Sequence, residues 1–229
     1  MLCSPSSFEV KSINMDESGP HGRRRRRSYH HGNLRQALLE AARKLIEQRG
    51  AAGFSLTEAA RLAGVSAAAP YRHFRDREAL LSEVAKSGFE QFAERLEAAW
   101  DNGRPSPIKA FENVGRAYLV FARDEPASYS AMFEAGMSVD DSPELKIAAD
   151  RAFDVLGRVC AAVAQTAPEA SLPPVSLMSL HVWAMNHGIA TLFSEGKPCR
   201  GKVPLTSEEI LEANMLIYLR GLGIIPTDK

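Results

Sequence analysis

The chain has 229 residues, 45% of them hydrophobic and 7% aromatic, which is enough apolar material for one large folded domain or two smaller ones and excludes a wholly disordered chain. Alanine and leucine are abundant and β-branched runs are scarce, favouring helix over sheet, and no apolar run reaches the roughly eighteen residues of a membrane span. The net charge of zero hides an asymmetry: residues 1–82 carry 14 Lys+Arg against 8 Asp+Glu and the rest 14 against 20, so the N-terminal part alone is basic enough to seek a polyanion such as nucleic acid.

Residues 1–32 combine Ser, Pro and Gly with the run Arg23 to Arg27. Five adjacent like charges repel and resist packing, so this segment reads as a flexible basic arm. The run, with Arg26 and Arg27 nearest the folded part, has two readings: an arm reaching into a DNA minor groove, or a solubilising leader. No basic start followed by an apolar stretch marks a secretory signal, and the cytoplasm is the expected compartment. Met15 is a second candidate for the true start.

A first helix is predicted from Asn33, a cap with Gln36 three residues on, with Leu34, Ala37, Leu38, Ala41, Ala42, Leu45 and Ile46 at helical spacing up to Gly50. Ser55-Leu56-Thr57-Glu58 is a capping box opening a second helix, with Leu56, Ala59, Ala60 and Leu62 facing inward and Gly64 as the stop. Ser66 caps a third, short helix through "AAAPYRHF", in which Pro70 forfeits an intrahelical bond and gives the first turn 3₁₀ character. Asp76 caps a fourth helix running to about Trp100. The remainder stays helical, with Pro107, Pro126, Pro143 and Pro174 at helix starts, where proline is best tolerated. The expected fold class is therefore all-α: a small three-helix N-terminal unit joined through the fourth helix to a larger helical bundle.

The second helix, the turn at Gly64 and the third helix, residues 55–74, form a helix-turn-helix, whose second helix lies in the major groove while the first crosses the backbone. Ala67, Ala68 and Ala69 permit close approach to bases and offer methyl contacts without hydrogen bonds. Tyr71, Arg72 and His73 bring a phenol, a guanidinium and an imidazole, groups that hold phosphates. Phe74 packs the helix down.

Residues 33–91 resemble the DNA-binding domain of the tetracycline-repressor (TetR) family, through "LLEAARKLIEQRG", "FSLTEAARLAGVS" and "YRHFRDREALL" in this order and spacing. The resemblance implies a homodimer that binds a palindromic operator on double-stranded DNA and is released by a small-molecule effector bound in residues 92–229. Carried over, Ser55 and Thr57 at the start of the second helix, with Tyr71, His73 and Arg77, would contact DNA, the last four at phosphates; Ser66, Ala67, Ala68 and Ala69 would face bases. Ala69-Pro70 depart from the family's usual residues before the tyrosine, so base contacts do not transfer. The C-terminal part resembles the subgroup with a Trp, His-Gly signature, here Trp183, His187 and Gly188 in "HVWAMNHGIATL".

An effector cavity, expected largely from that resemblance, draws on Phe111, Tyr118, Phe121, Tyr129, Met132, Phe133, Met178 and Trp183, with His181, Asn186 and His187 as polar groups. The same side chains equally suit a plain core. The segments 174–195 and 207–221 are apolar around much of their circumference and suit either the inside of a core or an isologous two-fold interface, of which the interface is the preferred reading. His181 and His187, six apart, do not stack on one helix face as metal ligands would, and Cys3, Cys160 and Cys199 show no C-x-x-C spacing, so no metal site is expected. No nucleophile elbow, zinc-protease or phosphate-loop motif appears, and neither an enzyme nor a cofactor is expected. The alternatives are a DNA-binding protein without sequence preference and a helical enzyme.

Overall fold

The computed structural model describes residues 34–167, 171–194 and 204–226, and among them it contains eight α-helices and no strand. The arm, with Arg26, Arg27 and the Asn33 cap, lies outside the described residues.

Helix α1, Leu34–Arg49, buries Leu34, Leu38, Leu39, Ala41, Ala42, Leu45 and Ile46 along one face, as the apolar spacing requires. Helix α2 is short, Leu56–Leu62, and is held at both ends by local bonds. At its start Ser55 Oγ accepts the Glu58 N–H at 3.2 Å while the Glu58 carboxylate accepts the Ser55 N–H at 3.0 Å, the reciprocal capping box. At its end Gly64 takes φ +75°, its N–H meets the Arg61 carbonyl at 3.1 Å and the Val65 N–H meets the Ala60 carbonyl at 3.0 Å. That pair of bonds needs a left-handed residue, hence the glycine. Leu62 is not inward as its apolar character suggested but 49% exposed, because so short a helix turns only Leu56, Ala59 and Ala60 to the core.

The expected third helix is not an α-helix. Residues 66–69 make a turn, and a single 3₁₀ turn, Pro70–Arg72, follows. Pro70 has no N–H to give the Ser66 carbonyl; the Ala69 N–H takes that acceptor at 3.0 Å, and the i→i+3 pattern continues from His73 to Pro70 at 2.8 Å. Pro70 and Phe74 are buried and seat the element.

Helix α3, Arg77–Trp100, begins at Asp76, whose side chain accepts the Ala79 N–H at 2.8 Å. Its 24 residues make a rod of about 36 Å. Leu80, Leu81, Val84 and Ala85 serve the N-terminal unit, and Phe89, Phe92, Ala93, Leu96 and Trp100 the body. Around it pack α4 (Pro107–Asp124), α5 (Pro126–Phe133) and α6 (Pro143–Ala164), each with its proline in the first turn. Helices α7 (Val175–Phe193) and α8 (Ser207–Gly221) complete the body, with Pro174 just before α7 rather than inside it.

Two helical glycines permit close approach. A Cβ on Gly88 of α3 would lie 2.7 Å from Met132 Sδ and 3.2 Å from Ser128 Cβ of α5, and one on Gly115 of α4 would lie 3.1 Å from Leu211 of α8. Ionic contacts reinforce the second crossing: Arg116 bonds Glu212, and Arg123 reaches Glu208 at 3.2 Å.

Candidate nucleic-acid interface and aromatic cluster

Thr57, Ser66, Ala67, Ala68, Tyr71, Arg72 and His73 are all exposed. The 60% exposure of Tyr71 leaves an aromatic phenol in water with only Pro70 and Phe74 beneath the turn as anchors.

Three expected DNA contacts sit differently. Ser55 is exposed, but its hydroxyl is engaged by the helix it caps, with Glu58 in turn bonded by Arg49 at 2.7 Å. The Arg49 guanidinium and then Ser55 hold the Glu58 carboxyl below its ordinary range. Ala69 is half-buried against the core, so it does not share the open face of Ala67 and Ala68. Arg77 departs furthest from expectation. Its Nε donates to the Phe54 carbonyl at 2.9 Å, its Nη2 to the Ala51 carbonyl, and its Nη1 to Glu78 at 3.2 Å, while the guanidinium lies 4.9 Å over the Phe54 ring. In this structure the Arg77 guanidinium is tied to protein, because two carbonyls of the turn before α2 lie within its reach.

In the body, five of the residues expected around a cavity do converge. Tyr118 of α4, Tyr129 and Phe133 of α5, and Trp183 and His187 of α7 form a polar knot in an aromatic shell. Trp183 Nε1 donates to the Tyr118 hydroxyl at 3.2 Å, and His187 Nδ1 lies 3.1 Å from the Tyr118 hydroxyl and 2.8 Å from that of Tyr129. In a neutral imidazole protonated at Nε2, the single Nδ1 lone pair would accept one phenol O–H, that of Tyr129 at the shorter distance. Burial favours the neutral form, lowering the proton affinity of His187, and it raises the Tyr118 and Tyr129 phenols above their usual range.

The other candidates lie elsewhere. Phe111 and Phe121 are core residues, Phe121 packing on Phe92 with ring centroids 4.9 Å apart. Met132 fills the space over Gly88, and Asn186 is buried beside Gly115 and Leu211. Met178 and His181 belong to the other face of α7, where with Leu177, Ile217, Tyr218 and Leu222 they line an open hollow of about 440 Å³ between α7 and α8. Phe153, 5.8 Å from Trp183, and Phe89, 5.5 Å from Phe133, complete the aromatic shell and were not singled out from the sequence. Their only sequence signal is helical apolar spacing, which core residues share.

Among the described residues no group of three or more His, Cys, Asp or Glu is placed to hold a metal, and no helix is long and apolar enough to cross a membrane.

Residues 38–84 match the family described as "Bacterial regulatory proteins, tetR family", and residues 111–216 match "Tetracyclin repressor-like, C-terminal domain". The chain belongs to the TetR family. It is thus a DNA-binding transcriptional regulator with the helix-turn-helix at its N-terminal end. The C-terminal match describes the family's domain at large and does not single out the Trp, His-Gly subgroup. Among solved structures, a protein of unknown function from Rhodococcus sp. RHA1 shares 34% identity and a TM-score of 0.72, over 86% of this chain and 98% of that one. The TetR-family regulator PfmR from Thermus thermophilus shares the fold at 22% identity and TM-score 0.64, over 81% and 98% of the two chains. AibR, solved with isovaleryl coenzyme A and operator DNA, does so at 19% identity and TM-score 0.61, over 80% and 96%. A comparison with curated proteins finds no match.

Proposed function

We propose that this TetR-family protein is a cytoplasmic, homodimeric repressor without catalytic activity, released from a palindromic operator by a small-molecule effector. The observation that carries the reading is the exposed constellation around the recognition turn. Ser66, Ala67 and Ala68 present the leading edge to bases, Arg72 adds a guanidinium suited to guanine, and Thr57, Tyr71 and His73 hold phosphates. The relative AibR, with its acyl-coenzyme A and operator, supports effector control by analogy of fold.

The dimer would form through α7 and α8. Leu177, Leu180 and Leu192 of α7 and Leu216 and Ile217 of α8 are 42–69% exposed, an apolar face that water disfavours and a second copy would cover. The effector would act at the Tyr118–Tyr129–His187–Trp183 knot, where polar groups converge inside an aromatic shell. Residues 33–91 serve as the DNA-binding domain, residues 92–229 as the regulatory one, and the basic arm precedes both.

Selecting bound duplexes from random DNA at stated salt tests the reading. Two inverted half-sites whose centres lie about one helical turn, 34–36 Å, apart or a multiple of it are expected. Enrichment of no palindromic sequence, with affinity governed by salt alone, would instead assign the protein to binding without sequence preference.

A further inference from the structure

We infer that Arg77 is a positioning residue for DNA reading: its guanidinium locks α2 and α3 at the angle that presents the recognition turn. The inference rests on the regulator reading above.

The recognition turn cannot fix its own orientation. It has one turn of 3₁₀ bonds, which begins at Pro70, and is anchored from below by Pro70 and Phe74. Its position is therefore set by the two helices it connects. Arg77 is the first residue of α3, and its partners Ala51 and Phe54 lie in the turn leading to Ser55, the cap of α2. One side chain thus joins the start of α2 to the start of α3, and residues 66–74 lie in the segment that runs from the end of α2 to α3.

A planar fork with several fixed N–H groups suits this work, since two carbonyls are met at once while the plane rests on the Phe54 ring. An ammonium offers one point charge and no plane. The helix dipole disfavours a cation in the first turn of α3, so the guanidinium's ties to the Ala51 and Phe54 carbonyls offset an unfavourable placement. Its side chain is 24% exposed, and each of its three nitrogens has a protein partner. Those three bonds take three of its five N–H groups, including the one on Nε, so the plane of the guanidinium is fixed by protein before any phosphate approaches. On the opposite flank Arg35 lies 5.6 Å over the Phe74 ring and pairs with Glu83 of α3 at 2.8 Å, so the far end of the recognition turn is gripped as well.

The test uses the full-length protein and two probes: a duplex enriched from random DNA by the unaltered protein, and a mixed-sequence duplex. If the unaltered protein enriches no site, the regulator reading fails and not this one. Otherwise Arg77→Met and Arg77→Lys are measured against both probes over a salt series, below the unfolding temperature of each variant. Positioning predicts that both variants lose about tenfold on the enriched site, retain affinity for mixed-sequence DNA, and keep the slope of log affinity against log salt. A phosphate contact predicts that Arg77→Lys binds as the unaltered protein does, while Arg77→Met weakens on both probes with a slope shallower by about 0.9; that result overturns the inference. Lower melting temperatures with unchanged affinity for the enriched site would also overturn it, by reducing Arg77 to a stabilising residue. Should Arg77→Met fail to fold, Arg77→Lys still decides, because the two roles assign it opposite outcomes.

Discussion

Replacing Tyr118 by Phe removes a hydroxyl at the centre of the body. Tyr118 has no exposed surface; its oxygen accepts Trp183 Nε1 at 3.2 Å and faces His187 Nδ1 at 3.1 Å. His187 keeps the Tyr129 hydroxyl at 2.8 Å, so the imidazole is not orphaned, but the indole N–H loses its acceptor. An unsatisfied buried donor costs about 1–3 kcal/mol, and the half-buried position of Trp183 lets water recover part of it, leaving about 1–2 kcal/mol. For a chain of this size the melting midpoint should fall by about 2–8 °C. Thermal unfolding followed by far-UV circular dichroism measures it directly. Combining Tyr118→Phe with Trp183→Phe should cost less than the two separately by about 1 kcal/mol, since both remove the same bond. An unchanged midpoint, or strictly additive losses, would refute the claim that this hydroxyl joins the two helices.

Lowering the pH probes the same knot from another direction. Burial lowers the folded-state pKa of His187, so the unfolded chain takes the proton first; stability is intact above the unfolded-state value near about pH 6.5 and falls as the pH drops below it. Urea midpoints between about pH 7.5 and pH 5 should decline, and His187→Gln should flatten that decline. Gly88→Ala sets a helix-propensity gain of about 1 kcal/mol against overpacking on Met132 of about 1–3 kcal/mol; a small net destabilisation by calorimetry is expected, relieved by Met132→Ala. Ile217→Glu, at a residue 69% exposed in one copy, should leave the melting temperature of the isolated chain nearly unchanged and convert dimer to monomer in sedimentation equilibrium. Ser55→Ala should cost about 1 kcal/mol through the lost cap and leave the salt slope of DNA binding unaltered.

The helix boundaries were legible because they are written locally. Ser55 with Glu58, Asp76 before α3, and Pro107, Pro126 and Pro143 each act within a few residues, and each sits where its chemistry requires. The recognition element was less legible: one missing N–H at Pro70 replaces an α-turn by a 3₁₀ one, a cooperative effect larger than a single lost bond. The direction of Arg77 was not legible, since its decisive partner Ala51 is 26 residues away and nothing near Arg77 announces a free carbonyl. In the body, Trp183 and His187 are four apart on α7 and share a face, which their spacing foretells. His181 precedes His187 by six residues and therefore points elsewhere, toward Tyr218 at a centroid distance of 4.9 Å.

Helix α3 runs unbroken from Arg77 to Trp100, and that continuity makes it a lever. Gly88 lies twelve residues from Trp100 and Arg77 twenty-three, or about 18 and 34 Å along the axis. If the Trp100 end acts as fulcrum, a thrust of about 1 Å delivered by α5 at Gly88 swings the Arg77 end by about 2 Å. The mechanical advantage belongs to the helix's length and to where its one missing side chain was placed.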